Sequence, residues 1–392
     1  MSNAMKPKHF VFLRRLPDKL MWGGLERVMM DWFERIDHST CKVTLAVSPG
    51  GKGLFGGRFA IKDLPIEIVE IPFDLYEGSS KLFMDMYKLL NPLKPSSTIF
   101  IQGAFTDFRL AAVFAGFLLT GKNTFMHENL SSPLPTHKPG LKLRLQRLVN
   151  SLRGVIAQKI IVVSQEIKDQ LVNVWGYPEN KVAVSYHGIN LNEFRLLPGK
   201  RQQVRRVLSI PMSDFVFIVP TRLAHVKRIE RTIEAFGRLS KGHNNLWLII
   251  LGDGDLKENL QQLAAQTGNK DKILFLGHQD NIAEYLNAAD CYVNSSDTEG
   301  LCIALLEAMA CGAVCVATDC AGPTELIKNS RTGFLVNKSV DGVFQGMQKA
   351  MLLSQPDREL MVRAGIQFIK EYFEVNRLVK NLFNTIQISY AP

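Results

Sequence analysis

No apolar run in the 392-residue chain is long enough to cross a bilayer: the longest clean one, Leu110–Leu119, falls far short of the roughly 20 residues a spanning helix needs. The stretch Phe10–Leu13 is too short for a signal-peptide core, so the expected compartment is cytoplasmic, with Met5 read as the native start. The cysteines Cys41, Cys291, Cys302, Cys311, Cys315 and Cys320 include no Cys-x-x-Cys pair and no interleaved His at zinc-like spacing. That excludes a disulfide scaffold and a zinc module and leaves small buried thiols. Acidic residues are missing altogether between Glu128 and Glu166, where Lys138, Lys142, Arg144, Arg147, Arg153 and Lys159 alternate with Leu141, Leu143, Leu145, Leu148, Val149 and Leu152. The pattern predicts a basic amphipathic helix over 138–159. It reads either as an ordinary solvated face or as a surface for an anionic membrane or phosphate. Aromatic interleaving and nucleic-acid motifs are also absent, so nucleic acid is not an expected partner.

What is present is globular: 46% apolar and 21% charged residues, at a length that suits two or three domains. The net charge of +10 is uneven, because residues 1–190 hold 24 basic against 16 acidic side chains (+8) and the remainder 23 against 21 (+2). Short β-rich runs alternate with helical patterns, first at His9–Leu13, Val43–Val47, Ile66–Ile71, Thr98–Gln102, Asn123–His127 and Lys159–Val163. A second series follows at Phe215–Pro220, Leu246–Gly252, Ile273–Gly277, Cys291–Ser295, Val314–Thr318 and Gly333–Val336. Such alternation predicts two α/β units in tandem, each with a parallel sheet. Tyr186–Pro211, rich in Gly, Asn, Pro and basic residues, separates them, with the linker near 188–200 and the units at 5–190 and 191–374.

Two segments carry chemistry. Directly after Phe215–Pro220, the loop Thr221–Lys227 places Arg222 and Lys227 five positions apart, where a fork-shaped cation and a mobile one could neutralise a diphosphate. A salt bridge to a neighbouring carboxylate is the plainer alternative. In Ser296–Gly312, Glu299 and Gly300 precede a buried apolar helix expected over Leu301–Cys311, whose N-terminus is an anion site. Glu307 is a lone charge in that helix and needs partners, either sugar or ribose hydroxyls or a structural cation. Asp253-Gly254-Asp255 resembles a metal-binding Asp-x-Asp, but it ends a strand as a turn and is not assigned a metal. Gly252-x-Gly254 lacks the third glycine of a dinucleotide fingerprint, so a nicotinamide enzyme is not expected.

Glu299-Gly300 with Leu305-Leu306-Glu307-Ala308-Met309-Ala310-Cys311-Gly312, preceded by Arg222, Lys227 and Gly252–Gly254, resembles the family 4 retaining glycosyltransferases (glycosyl transferases group 1). The resemblance extends to Gly23-Gly24-Leu25-Glu26-Arg27-Val28, to His187–Phe194 and to Ala321–Glu325 with Gly333–Val336. It implies a GT-B fold: two Rossmann-like doubly wound parallel-sheet domains facing a central cleft, the first binding acceptor and the second the nucleotide sugar, with a final helix, about 375–392, packing back on the first domain. It implies a metal-independent hexosyl transfer from a nucleotide diphosphate sugar, UDP-sugar favoured, without a cofactor, to a glycan or lipid-linked glycan in lipopolysaccharide, capsule or other surface-glycan assembly at the cytoplasmic membrane face. Arg222 and Lys227 would hold the diphosphate, Glu307 the ribose, and Glu299 the donor sugar. Backbone N–H groups from Gly300, Leu301, Cys302 and Ile303 would complete the phosphate cradle, Gly23 and Gly24 would approach a phosphate, Gly277 and Asn281 the base, and His127 the transferred sugar. The chain departs from the family pattern at Leu301 and Cys302, where the family often has Phe-Gly, and at Arg228, where it has Gly after the lysine. The alternatives are a sugar-nucleotide 2-epimerase, which would need further acid/base carboxylates, and a non-catalytic sugar-nucleotide binding protein.

Overall fold

A computed structural model of the chain describes residues 8–14, 24–47, 50, 52–53, 63–70, 83–84, 87–88, 91–93, 97–103, 110–121, 123–129, 140–328 and 330–391. The chain divides into two compact units, residues 1–187 with 376–392, and residues 188–375.

The first unit holds a seven-stranded parallel sheet built from β1 (Lys8–Arg14), β2 (Cys41–Val47), β3 (Ile66–Glu70), β4 (Ser97–Gly103), β5 (Thr124–Glu128), β6 (Lys159–Val162) and β7 (Val182–Val184). Its order is β3-β2-β1-β4-β5-β6-β7. Buried on both faces, the central strands are near-continuous apolar runs: Phe10 through Leu13, and Val43 with Leu45 through Val47, are almost wholly inaccessible. The helix Val375–Ile386 puts Val379, Leu382, Phe383 and Ile386 on one buried stripe, at the spacing of a single helix face.

The second unit repeats the plan with β8 (Phe215–Pro220), β9 (Leu246–Leu251), β10 (Ile273–Gly277), β11 (Cys291–Asn294), β12 (Val314–Thr318) and β13 (Phe334–Val336), in the order β10-β9-β8-β11-β12-β13. Its core joins Phe217, Val219, Leu248, Ile250, Val293 and Val316 to Ile229, Ile233 and Phe236 of the helix Ile229–Leu239. In both sheets the winding direction reverses beside the first strand, between β1 and β4 and between β8 and β11. Ligands of doubly wound sheets bind beyond the carboxyl ends of the strands at such a point.

Several boundaries differ from the sequence reading. The basic helix runs Gly140–Ile156 rather than 138–159: Lys159 opens β6, and Lys138 lies outside the described residues. Strand β7 was not anticipated, because Val-Ala-Val is too short for an alternating pattern to register. Residues 186–211 are not all irregular, since Lys200–Val207 is a helix whose Arg205 is buried and paired with Asp290 at 2.7 Å. The helix expected over Leu301–Cys311 is confined to Ile303–Ala310, which leaves Leu301 and Cys302 in the turn before it.

Candidate functional site

In the second unit, the loops after β8 and β11 lie side by side because backbone and side chains lock them. The Asp297 amide donates to the Val226 carbonyl at 2.9 Å, and the Ser295 hydroxyl donates to the Arg228 carbonyl at 2.8 Å. Arg231, from the helix Ile229–Leu239, bridges Asp297 at 2.6 Å and donates to the Ser295 carbonyl at 3.1 Å. This places Lys227 against Glu299: the ammonium contacts both carboxylate oxygens, at 2.7 and 2.8 Å. Glu299 also accepts from Asn294 Nδ2 at 2.9 Å and from Ser296 Oγ at 2.6 Å. Asn294 in turn accepts the Ser296 amide at 3.1 Å and donates to Cys302 Sγ at 3.3 Å, which also meets the Tyr292 hydroxyl at 3.4 Å. Thr318, at the end of β12, fixes the Ser296 carbonyl at 2.6 Å.

Burial pushes the Glu299 carboxyl up, but the Lys227 charge and the hydrogen bonds from Ser296 and Asn294 outweigh it and hold the group below the usual carboxylate range. Burial likewise draws the Lys227 ammonium down, and the Glu299 charge more than restores it. Both groups are therefore ionised at neutral pH. A buried ion pair adds little net stability, yet removing one member strands the other. The value of the arrangement is that a cation and a carboxylate are held ready at one strand end.

Around this pair, Arg222 lies exposed on the same loop, near enough for its charge to oppose that of Lys227. The loop rests on the Gly252–Gly254 turn. Gly252, at φ +120°, would bring a Cβ within 2.0 Å of the Thr221 carbonyl oxygen, and Gly254, at φ +157°, within 2.4 Å of that of Leu223. Only glycine permits that approach. Asp253 accepts from the Gly254 amide at 2.8 Å and from Lys257 at 3.2 Å. Among the described residues no group of three or more His, Cys, Asp or Glu could hold a metal. Glu307 is buried in the helix Ile303–Ala310, two turns beyond Glu299. Gly300, Leu301 and Cys302 are buried in the preceding turn, packed so closely that a Cβ on Gly322 would meet the Leu301 carbonyl carbon at 2.4 Å. Gly277 ends β10 at φ +68°, and Asn281, exposed, bonds Glu284 at 3.1 Å.

In the first unit, the end of β1 offers Arg14, which donates to Glu26 at 2.9 Å in the first turn of the helix Gly24–Phe33. Gly24 opens that helix, and Gly23 lies outside the described residues. His127 is on β5, wholly buried, edge-on to Trp32 with ring centroids 5.2 Å apart and stacked on His187 at 5.4 Å. Burial drives both imidazoles down, His127 further lowered by His187 and Arg14, and His187 to about 3. Both are neutral. The sequence reading did not assign Asn294, Ser296, Tyr292, Arg14, Trp32 or His187 to a site. A polar Asn closing the apolar strand Cys-Tyr-Val-Asn was the signal available for the first of them.

The profile described as "Glycosyl transferases group 1" matches residues 200–368, and that described as "Glycosyltransferase Family 4" matches residues 22–193. The chain belongs to the family 4 glycosyltransferases. An uncharacterized glycosyltransferase of Methanocaldococcus jannaschii is 30% identical over 236 residues, 59% of this chain and 60% of that protein. An Escherichia coli enzyme named UDP-Gal:alpha-D-GlcNAc-diphosphoundecaprenol alpha-1,3-galactosyltransferase is 29% identical over 183 residues, 45% of this chain and 47% of its own. Each match thus covers less than two thirds of the relative. Among solved structures, a glycosyltransferase from Rickettsia africae superposes with a TM-score of 0.79 at 16% identity, covering 97% of this chain and 98% of the other. Anabaena HepE in complex with UDP and glucose gives 0.77 at 19%, covering 97% and 99%. These likenesses establish the GT-B fold for this chain.

Proposed function

We propose that this family 4 glycosyltransferase moves a hexosyl unit from a nucleotide diphosphate sugar, a UDP-sugar, to an acceptor hydroxyl with retention at the anomeric carbon. The observation that carries the reading is the Lys227–Glu299 pair, held at the switch point of the second sheet beside Arg222 and the Ile303–Ala310 helix N-terminus. Lys227, Arg222 and the amides of Gly300 to Ile303 take the leaving diphosphate, whose negative charge grows as the glycosidic bond breaks. Glu307 takes the ribose, Gly277 and Asn281 lie toward the base, and Glu299 takes the sugar hydroxyls. The leaving phosphate oxygen accepts the acceptor proton on the same face, so Glu299 positions the donor and does not attack it. Trapping a covalent glycosyl-Glu299 species would overturn that role. Because cations and amides neutralise the diphosphate, the reaction is proposed to proceed without a metal, and activity unchanged by a chelator is the expected result.

The acceptor belongs to the basic first unit, with Gly23, Gly24 and His127 on its side of the reaction. The E. coli relative's name specifies a UDP-sugar donor and a diphosphate-linked lipid acceptor, which supports a lipid-linked surface glycan and peripheral attachment to the cytoplasmic membrane face. A thermal-shift panel of nucleoside diphosphates and their sugars, on wild type and Glu307→Ala, tests the donor half: one base should raise the melting temperature and the variant should lose the effect. No response to any nucleotide would count for the non-catalytic alternative.

A further inference from the structure

The helix Gly140–Ile156 turns four of its apolar residues outward. Leu145, Leu148, Leu152 and Val155 are 56%, 59%, 47% and 63% exposed, and their spacing of three, four and three puts them within one narrow stripe. The opposite face is the one that packs. Asn150 is fully buried and donates to the Trp175 carbonyl at 3.1 Å, a Cβ on Gly154 would meet Pro178 at 2.5 Å, and Arg147 donates to the Asn173 carbonyl at 3.1 Å. An amphipathic helix normally buries its leucines, so this one is placed the wrong way round for a solvated surface.

We infer that this stripe is a docking face for an anionic lipid surface, with Leu145, Leu148, Leu152 and Val155 entering the headgroup boundary and Arg144 meeting the phosphates. Charge decides between the two occupants that an apolar stripe could accept. A second copy would set the same face against itself, as a two-fold contact requires, and would bring together helices that carry Lys142, Arg144, Arg147 and Arg153 without any acidic residue. An anionic bilayer complements both the apolar stripe and Arg144, which lies exposed beside it. The inference rests on the lipid-linked acceptor reading for its purpose, but not for its physical argument.

The test is co-sedimentation of the full chain with vesicles of phosphatidylcholine alone and with about one third phosphatidylglycerol, at low and raised salt. Wild type should partition to the anionic vesicles at least about ten-fold more strongly and weaken with salt. The variant Leu145→Gln/Leu148→Gln/Leu152→Gln, at positions that already face water, should lose at least about ten-fold of that binding while keeping its circular dichroism and its melting-temperature response to the nucleoside diphosphate. Arg144→Gln should weaken binding at low salt only. Wild-type binding retained by the triple variant, or no binding by wild type, overturns the inference. So does a wild-type dimer in analytical ultracentrifugation that the triple variant dissolves, which would assign the face to a second copy. If vesicle binding behaves as expected and no nucleotide shifts the melting temperature, the glycosyl-transfer reading fails and the docking face stands.

Discussion

The two units share one architecture and close their strand ends with different chemistry. In residues 188–375 the strand ends carry ionised groups, Lys227 and Glu299, each held in its charged state by the other and by hydrogen bonds. In the first unit the end of β1 also carries an ion pair, Arg14 with Glu26, but two strands over on β5 His127 packs with His187, which follows β7, and both imidazoles are held neutral by burial against each other and Trp32. A parallel sheet presents its strand ends without dictating their chemistry: the polarity of the side chains that close the site does that. Both units also expose large apolar side chains, the first with Phe114, Leu118, Leu145, Leu148, Leu152 and Val155 on its helices Leu110–Thr120 and Gly140–Ile156, the second with Leu196, Val207, Met212, Leu352 and Leu360.

The largest effect should come from breaking the charged site. Lys227→Met removes the partner of a buried carboxylate, so unfolding free energy should fall by about 3 kcal/mol, and donor turnover by two orders of magnitude or more, roughly the cost of one transition-state charge stabiliser. Steady-state kinetics and thermal denaturation read the two together. Preserved turnover would remove Lys227 from the diphosphate.

Acid should break the neutral site next. The folded His127 and His187 lie below the ordinary imidazole value of about 6.5 that the unfolded chain keeps, so as pH falls past it the unfolded state binds protons that the folded state refuses. Stability is therefore lost on acidification, by about 2 kcal/mol for His187 between pH 6.5 and 5, with His127 adding in the same direction. His9, lowered by burial and by Lys42, adds to the same direction. Glu299 behaves oppositely in window: its folded value is depressed, so its contribution holds above the ordinary carboxylate range and fades only below it. Urea denaturation between pH 7 and 5 should show the first unit weakening, and His187→Phe, which keeps an aromatic ring in place, should flatten the slope. An unchanged slope would mean the imidazoles are protonated in the fold.

Much of this was legible in the chain. Valine- and isoleucine-rich runs separated by helix-length segments specify parallel strands, and Arg222, Lys227, Glu299 and Glu307 stand out because charge is costly beside apolar runs. The organising network was not legible, since Asn294 and Ser296 act through distances of a few ångströms that no spacing rule encodes. Nor was the orientation of Gly140–Ile156. Periodicity says that Leu145, Leu148 and Leu152 share a face, and only packing of Asn150 and Gly154 says which way the face points. His127 was read as a strand-end residue, but its burial depends on Trp32 and His187, brought from distant parts of the chain.

A smaller effect separates the two cations of the loop Thr221–Lys227. Arg222 is exposed, so Arg222→Ala should leave the melting temperature within a degree or so, consistent with a surface substitution. Donor turnover should fall by about ten-fold, the loss of one charge-assisted contact made only when the donor is bound. Unaltered kinetics would leave Lys227 as the sole cation acting on the diphosphate from this loop.

The smallest effects concern the two positions where the chain departs from family glycines. Both hold left-handed backbone, Arg228 at φ 50° and Cys302 at φ 64°, which explains the family preference and costs a side chain about 1 kcal/mol. Their replacements should nevertheless act with opposite sign. Arg228→Gly relieves the strain and gives up only partly exposed ion pairs to Glu230 and Asp297, each worth less than about 1 kcal/mol, so the melting temperature should hold or rise slightly. Cys302→Gly relieves the same strain but leaves the Tyr292 hydroxyl and Asn294 amide facing a gap, at a cost of about 1–3 kcal/mol for groups deprived of a buried partner. Its melting temperature should fall by a few degrees, and because Asn294 also holds Glu299, KM for the donor should rise with it. An equal rise in melting temperature for both variants would show that the thiol takes no part in ordering Glu299, and that Lys227, Ser296 and Asn294 hold the carboxylate without it.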